Sequence, residues 1–163
     1  MSQILELLER DSTLSHDTIA TMTGIPLAEV SAAIAAWEAS GAIRRYKAVV
    51  DWDVVHDDPT SETVTAFIDV SLAPARGVGF DDVAERIARF DEVRSVYLVS
   101  GSHDLRCTVT GRTIRAVSDF VSQKLSTIDR VQATATHFVL KTYKRDGDAF
   151  GAAEADHRLP VTP

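Results

Sequence analysis

Residues 64–72 read Val-Thr-Ala-Phe-Ile-Asp-Val-Ser-Leu, and this stretch decides the fold. Val64, Ala66, Ile68, Val70 and Leu72 alternate with Thr65, Phe67, Asp69 and Ser71. Successive side chains of a strand point to opposite faces, so a period of two predicts a strand with one buried side. Downstream, 73–79 (APARGVG) reads as a turn and the period then changes. Phe80, Val83, Ala84, Ile87 and Ala88 recur at the spacing of one helix face. Val93–Ser100 is a largely apolar strand, and Gly101–Asp104 a tight connection. Leu105, Cys107 and Val109 alternate with Arg106, Thr108 and Thr110 as a further strand. Ile114, Val117, Val121, Leu125 and Ile128 make a second amphipathic helix, and Val131–Tyr143 a long final strand. The order is β-α-β-β-α-β, the ferredoxin-like arrangement, in which two helices cover one face of a four-stranded antiparallel sheet. The opposite face is expected to be apolar and exposed, and therefore to pair with a second subunit.

Upstream, Ile4, Leu7 and Leu8 recur at helical spacing in Gln3–Arg10. Ser15 is suited to cap a second helix over His16–Met22. Thr23-Gly24-Ile25 reads as a turn, and Pro26 can open a third helix over 27–40 because a first-turn residue needs no N–H partner. Val30, Ile34 and Trp37 share a face of that helix, and Gly41 suits its C-terminal end. The small Ala20 and the permissive Gly24 fit a helix-turn-helix. Ala42–Asp51, with Ile43, Tyr46, Val49 and Val50, suits a strand that would form a wing. A three-helix bundle that only packs is the alternative these residues leave open. The expected division is 1–53 for the winged helix-turn-helix, 54–62 for a linker, 63–145 for the αβ domain and 146–163 for a disordered tail. The fold class is thus α+β.

The chain has 163 residues, 45% of them apolar and 25% charged, which bounds it to one globular domain or two small ones. No apolar run approaches the roughly 18 residues of a membrane span. The N-terminal MSQILELLERD has no signal-peptide core. Cys107 is the single cysteine, which excludes an internal disulfide and a multi-cysteine metal site and points to a reduced cytoplasm. The net charge of −7 argues against a strongly basic nucleic-acid binder. The charge is uneven: residues 1–61 carry four basic side chains against ten acidic, whereas 62–145 carry twelve against ten.

A recognition helix needs donors for base edges and cations for phosphates. The third helix, LAEVSAAIAAWEAS, contains no Lys, Arg, Asn or Gln. Ser31 is its one polar outward residue besides the glutamates, and the nearby cations are Arg44, Arg45 and Lys47. These four form the candidate DNA-binding set, with a solvated wing surface as the plainer reading of the cations. In Ser100–Asp104, a glycine able to adopt positive φ and an Asp able to cap amides suit either a hairpin turn or a loop holding a small polar ligand. Thr134, Thr136 and His137 lie on the last strand. His103 and His137 have no carboxylate or cysteine at ligand spacing, so no metal site is expected. Cys107 reads as a core residue. No nucleophile elbow, phosphate loop or dinucleotide fingerprint is present, so neither an enzyme nor a bound cofactor is expected.

GFDDVAERIARFDEVRSVYLVSGSHDL and VQATATHFVLKTYKRDG resemble the helix, strand, Gly-x-x-Asp loop and closing strand of the Lrp/AsnC (feast/famine) regulators. ILELLERDSTLSHDTIATMTGI and SGAIRRYKAVVD resemble the N-terminal part of the same family, so the likeness covers about residues 1–145. The resemblance implies a winged helix-turn-helix followed by a RAM-type effector and oligomerisation domain. It implies DNA as a partner and self-association as dimers, tetramers or octamers. It also implies a small effector, usually an amino acid, bound between dimers near the loop, and so points to Gly101, His103, Asp104, Thr134 and Thr136. The chain departs from the family at five positions. His103 stands where an aromatic residue, commonly tyrosine, is usual. Pro26 stands where a capping serine is usual, and Trp37 replaces a leucine. Ala33 and Ala35 stand where basic residues are usual.

The leading expectation is a DNA-binding regulator that responds to a small effector. The alternative is a sensing or assembly protein that does not bind DNA and uses its acidic N-terminal domain for protein contacts, for example with a basic paralogue. A further alternative is an enzyme resembling sirohaem decarboxylases, with Arg94, Arg106, Arg115 and His103 as the available cations and proton carrier.

Overall fold

The computed structural model describes residues 2–51, 63–74 and 79–150. The chain divides into two compact units, 1–50 and 51–163.

The first unit holds α1 (Ser2–Arg10), α2 (His16–Thr23) and α3 (Leu27–Ser40). Its core is Ile4, Leu8, Ile19, Val30, Ala33 and Ile34, with Leu7, Leu14, Ala20, Ile25, Trp37 and Ile43 packed around them. Ile4 and Ile19 are fully buried; each such side chain contributes about 1.5–3 kcal/mol by leaving water. Ser15 caps α2, its Oγ accepting the Thr18 N–H at 3.1 Å. Gly24 ends α2 at φ +70°, a left-handed conformation in which a Cβ is disfavoured, and donates its N–H to Ala20 O at 2.9 Å. The chain turns sharply there, and α2 and α3 are bent by 116° relative to one another. That angle falls in the helix-turn-helix range. Pro26 is the N-cap of α3, and its carbonyl accepts from the N–H of Glu29 and of Val30.

The expected wing strand is not seen among the described residues. Residues 42–51 pair with no strand among the described residues. Ile43 instead packs on the helical core and donates its N–H to Trp37 O, and Tyr46 Oη donates to Glu38 Oε1 at 2.9 Å. Its apolar residues are accounted for by that local packing and by exposure, since Tyr46 and Val49 face solvent. The linker expected at 54–62 lies outside the described residues.

The second unit contains β1 (Val64–Leu72), α4 (Asp81–Ala88), β2 (Val93–Leu98), β3 (Leu105–Gly111), α5 (Ile114–Phe120) and β4 (Val131–Phe138). The strand order β2-β3-β1-β4 is that of the ferredoxin-like sheet, with β1–β3, β1–β4 and β2–β3 all antiparallel. Ala66, Ile68, Val70 and Leu72 of β1 and Leu105, Cys107 and Val109 of β3 point to the helices. Val83 and Ile87 of α4 meet them, with Val117, Phe120, Leu125 and Ile128. The second helix is regular only to Phe120; Val121–Leu125 continues as a wider π-turn that still delivers Leu125 to the core.

Three details differ from expectation. The final strand stops at Phe138 rather than Tyr143. Beyond it, β5 (Lys144–Arg145) and β6 (Asp148–Ala149) form a small hairpin around Asp146 and Gly147, both at positive φ. An Asp-Gly pair is a strong hairpin-turn signal, so the first residues of the expected tail are ordered; 151–163 lie outside the described residues. Third, the sheet face away from the helices is not simply apolar. The register places Asp69 opposite Arg106 and Phe67 opposite Thr108 and His137, all on that face. Phe67 and Tyr97 are exposed there. Asp69 is buried between polar neighbours: its odd position in β1 turns it away from the apolar core, and side chains from β3 and β4 cover it.

Candidate functional site

The Gly101–Asp104 loop joins β2 to β3 and is bolted to β1. Val99 donates its N–H to Asp104 O at 2.9 Å, and Asp104 donates its own to Val70 O at 3.0 Å. The Asp104 carboxylate accepts the Leu72 N–H at Oδ2, 2.7 Å away. Its role in the fold is therefore a clamp on backbone that an ended ladder leaves open. His103 lies alongside, half-buried, with Nδ1 3.1 Å from Ser71 Oγ. Gly101 sits at φ +145°, a conformation L side chains rarely adopt, although a Cβ there would meet no atom within 4 Å. Its requirement is conformational, not steric.

Thr134 and Thr136 lie across β1 from this loop. They pair with Val70 and Ile68, so they share the helix-covered face and are half-buried. The Ser71–His103 contact belongs to the opposite face. One chain thus brings together Gly101, His103 and Asp104 with Ser71 and Leu72, and holds the two threonines apart from them by the width of β1.

Next to the loop, on the open face, is a cluster that the sequence reading did not single out. Arg106 grips Asp69 with Nε 2.7 Å from Oδ1 and Nη2 2.9 Å from Oδ2. His137 Nε2 stands 3.5 Å from Oδ2. Asp69 is only 4% exposed. The Arg106 hydrogen bonds hold its carboxyl below the ordinary value against the opposing push of burial, and the charges of Arg106, His103 and His137 act in the same direction. The available signal was a lone carboxylate in an apolar strand, with a cation in the partner strand. Cys107, on the other face, is fully buried, and desolvation pushes its thiol up to about 11. Among the described residues no group of three His, Cys, Asp or Glu side chains is placed to hold a metal ion.

In the first unit, α3 presents Leu27, Ala28, Glu29, Ala32, Ala35, Ala36 and Glu38 to solvent. Ser31 is half-buried, with Oγ 3.0 Å from His16 Nδ1, so it bridges α3 to α2. Arg44, Arg45 and Lys47 are exposed beyond the helix. Ala33 is in the core, so of the two alanines noted above only Ala35 faces outward.

The family model of the Lrp/AsnC ligand binding domain matches residues 65–149, more than half of the chain. The uncharacterized HTH-type transcriptional regulator YugG of Bacillus subtilis is 49% identical over 162 residues, covering 99% of this chain and 96% of that protein. Among solved structures, a transcriptional regulator of Neisseria meningitidis in complex with L-Met superposes with a TM-score of 0.69 at 24% identity, covering 88% of this chain and 89% of that one. AsnC of E. coli gives 0.67 at 22%, covering 88% and 91%. At such identities the structures speak for the fold. The family match and the near full-length likeness to YugG speak for descent: this chain belongs to the Lrp/AsnC family of HTH-type transcriptional regulators.

Proposed function

We propose that this protein regulates transcription by binding DNA through α2 and α3, in response to an amino acid held at the Gly101–Asp104 loop. The observation that carries the reading is the Gly24 turn. It sets α2 and α3 at a helix-turn-helix angle, in a chain whose second unit carries the family's ligand-binding sheet. Ser31, Arg44, Arg45 and Lys47 are the DNA-contacting set in this reading. With three cations per chain in that set, phosphate neutralisation is slight, and several copies acting together on one DNA supply affinity through effective concentration. A second copy of the chain is accordingly a required partner, as a dimer or a larger closed assembly, and DNA as ligand places the protein in the cytoplasm.

Gly101, His103 and Asp104, with Thr134 and Thr136, are the proposed effector contacts. The two sets do not adjoin within one chain, which fits a ligand held where copies meet. Effector binding then couples assembly to DNA affinity, since one ligand shifts the other's equilibrium by its differential affinity for two states. The test is fluorescence anisotropy of DNA from upstream of the protein's own gene, with each amino acid added in turn. One or more amino acids should change the affinity, and Gly101→Thr should abolish that change. No change with any amino acid contradicts the effector part.

A second reading keeps the fold without DNA. Its support is the alanine- and glutamate-lined outer face of α3, which offers no base-edge donor. Co-purification with a more basic paralogue would favour it. The enzyme reading has no such support. Arg106 is committed to Asp69, Arg94 to Thr110 Oγ1 at 2.9 Å, and Arg115 stands 3.9 Å from Asp119.

A further inference from the structure

The loop's polar atoms are unequally available. Asp104 uses Oδ2, its N–H and its carbonyl to hold the loop against β1 and β2. Thr134 and Thr136 lie beyond β1. Ser100, Gly101 and Ser102 present no apolar side chain, so the loop itself offers no greasy wall. His103 is the one ring in it. Ser71 Oγ holds the ring by Nδ1, which fixes its orientation, while Nε2 has no hydrogen-bond partner among the described residues. A half-buried, oriented imidazole with one nitrogen open is a recognition element for a polar atom. It is also ill suited to an aliphatic or thioether group, because covering that nitrogen without a partner costs its hydration.

We infer that His103 selects the effector by its side chain, favouring amino acids that end in a carbonyl oxygen (glutamine, glutamate, asparagine and aspartate) over aliphatic or thioether ones. This rests on the reading of the Gly101–Asp104 loop as the effector site. If Ser71 donates to Nδ1, Nε2 carries the proton and donates to a carboxylate or carboxamide oxygen. If Nδ1 donates to Ser71, Nε2 accepts, and a carboxamide N–H satisfies it. The carboxamide fits both tautomers and the carboxylate fits the first. A site built to hydrogen-bond its ligand rejects one that lacks the group far more strongly than an apolar slot rejects a polar isostere.

The test is calorimetric titration of the full-length protein with L-glutamine, L-glutamate, L-methionine and L-leucine, repeated on His103→Phe and His103→Gln. The wild type should bind glutamine or glutamate at least about tenfold more tightly than methionine or leucine. His103→Phe, which keeps a ring and removes both nitrogens, should lose that preference. His103→Gln, which restores a donor and an acceptor, should recover part of it. A urea midpoint near wild type checks that each variant is folded. Methionine or leucine binding as tightly as glutamine in the wild type overturns the inference. So does an unchanged ranking in His103→Phe while Gly101→Thr abolishes binding, an outcome that leaves the effector site standing. Absence of binding by every amino acid overturns the inference and the effector reading together.

Discussion

Arg106 holds Asp69 through two parallel hydrogen bonds of 2.7 and 2.9 Å across the central strand pair, on the sheet face away from α4 and α5. The pair is asymmetric. Asp69 is almost wholly buried, whereas the Arg106 side chain is half exposed. Removing the cation strands a buried carboxylate, and removing both groups strands nothing. Arg106→Met should therefore lower stability by about 1–3 kcal/mol, while Asp69→Leu/Arg106→Met should recover part of that loss. Urea unfolding of the two single variants and the double variant measures the coupling. Strict additivity would show that the pair contributes nothing.

The same pair sets the response to acid. The carboxyl of Asp69 is held below its ordinary value in the folded chain, mainly by Arg106, and that of Glu92 is held down by Lys124. A group depressed on folding stabilises the fold above its unfolded value, about 3.9 for Asp, and loses that contribution as pH falls through the folded value. Stability should change little for these groups between pH 7 and 5 and fall below pH 5. Asp69→Asn should fall less steeply over the acid range, because it has no such proton to take up. Urea midpoints at pH 7, 5, 4 and 3 compare the slopes, and equal slopes would remove Asp69 from the account.

Gly24 and Gly101 test the two turns separately. Neither position would bring a Cβ within 4 Å of another atom, so the cost of substitution is conformational. Gly24→Ala should destabilise the first unit by about 1–2 kcal/mol, the usual penalty for a left-handed L residue. Gly101→Ala, at φ +145°, occupies a region almost reserved for glycine and should cost about 1–3 kcal/mol, with the change concentrated in the β2–β3 loop. Amide exchange resolves the two effects by unit. Wild-type protection around Val99 and Leu72 in Gly101→Ala would contradict the assignment of that loop's strain.

Cys107 should be inert in the native protein. It is fully buried, and its thiol is pushed up to about 11 by desolvation first and the Asp69 charge second. Thiolate is the reactive form. Ellman's reagent at pH 8 should modify it only as the chain unfolds, and rapid labelling of folded protein would mean that the β3 core opens readily.

The βαββαβ order could be read from periodicity, because Val64–Leu72 buries one face and only a period of two delivers that. The α2–turn–α3 segment was equally plain, since Ser15, Gly24 and Gly41 each mark a helix end by backbone chemistry. The wing was not. Ile43, Tyr46 and Val49 suit a strand by composition, but a strand needs a partner edge, and none pairs with them among the described residues. The hairpin at 144–149 was hidden by its short strands, although Asp146-Gly147 announced the turn. For the site, the loop residues were visible and their neighbours were not. Ser71 and Asp69 reach His103 and Arg106 through pairing of residues 32 and 37 positions apart, which no local pattern records. Ser31 looked outward by spacing, yet His16 engages it from the preceding helix.

The central claim is that the acidic first unit reads DNA. Its most direct test is fluorescence anisotropy of the assembled protein on DNA from upstream of its own gene, over a salt series, with unrelated DNA as control. The account predicts specific binding with a shallow dependence of log K on log salt. Each phosphate contact adds about 0.9 to that slope, and Arg44, Arg45 and Lys47 are the cations at hand in each chain. Arg44→Gln/Arg45→Gln/Lys47→Gln should flatten the slope further and weaken binding to both DNAs. Absence of binding even at low salt, in protein shown to be folded and assembled, would contradict the account and turn the alanine-faced α3 into a surface for another protein.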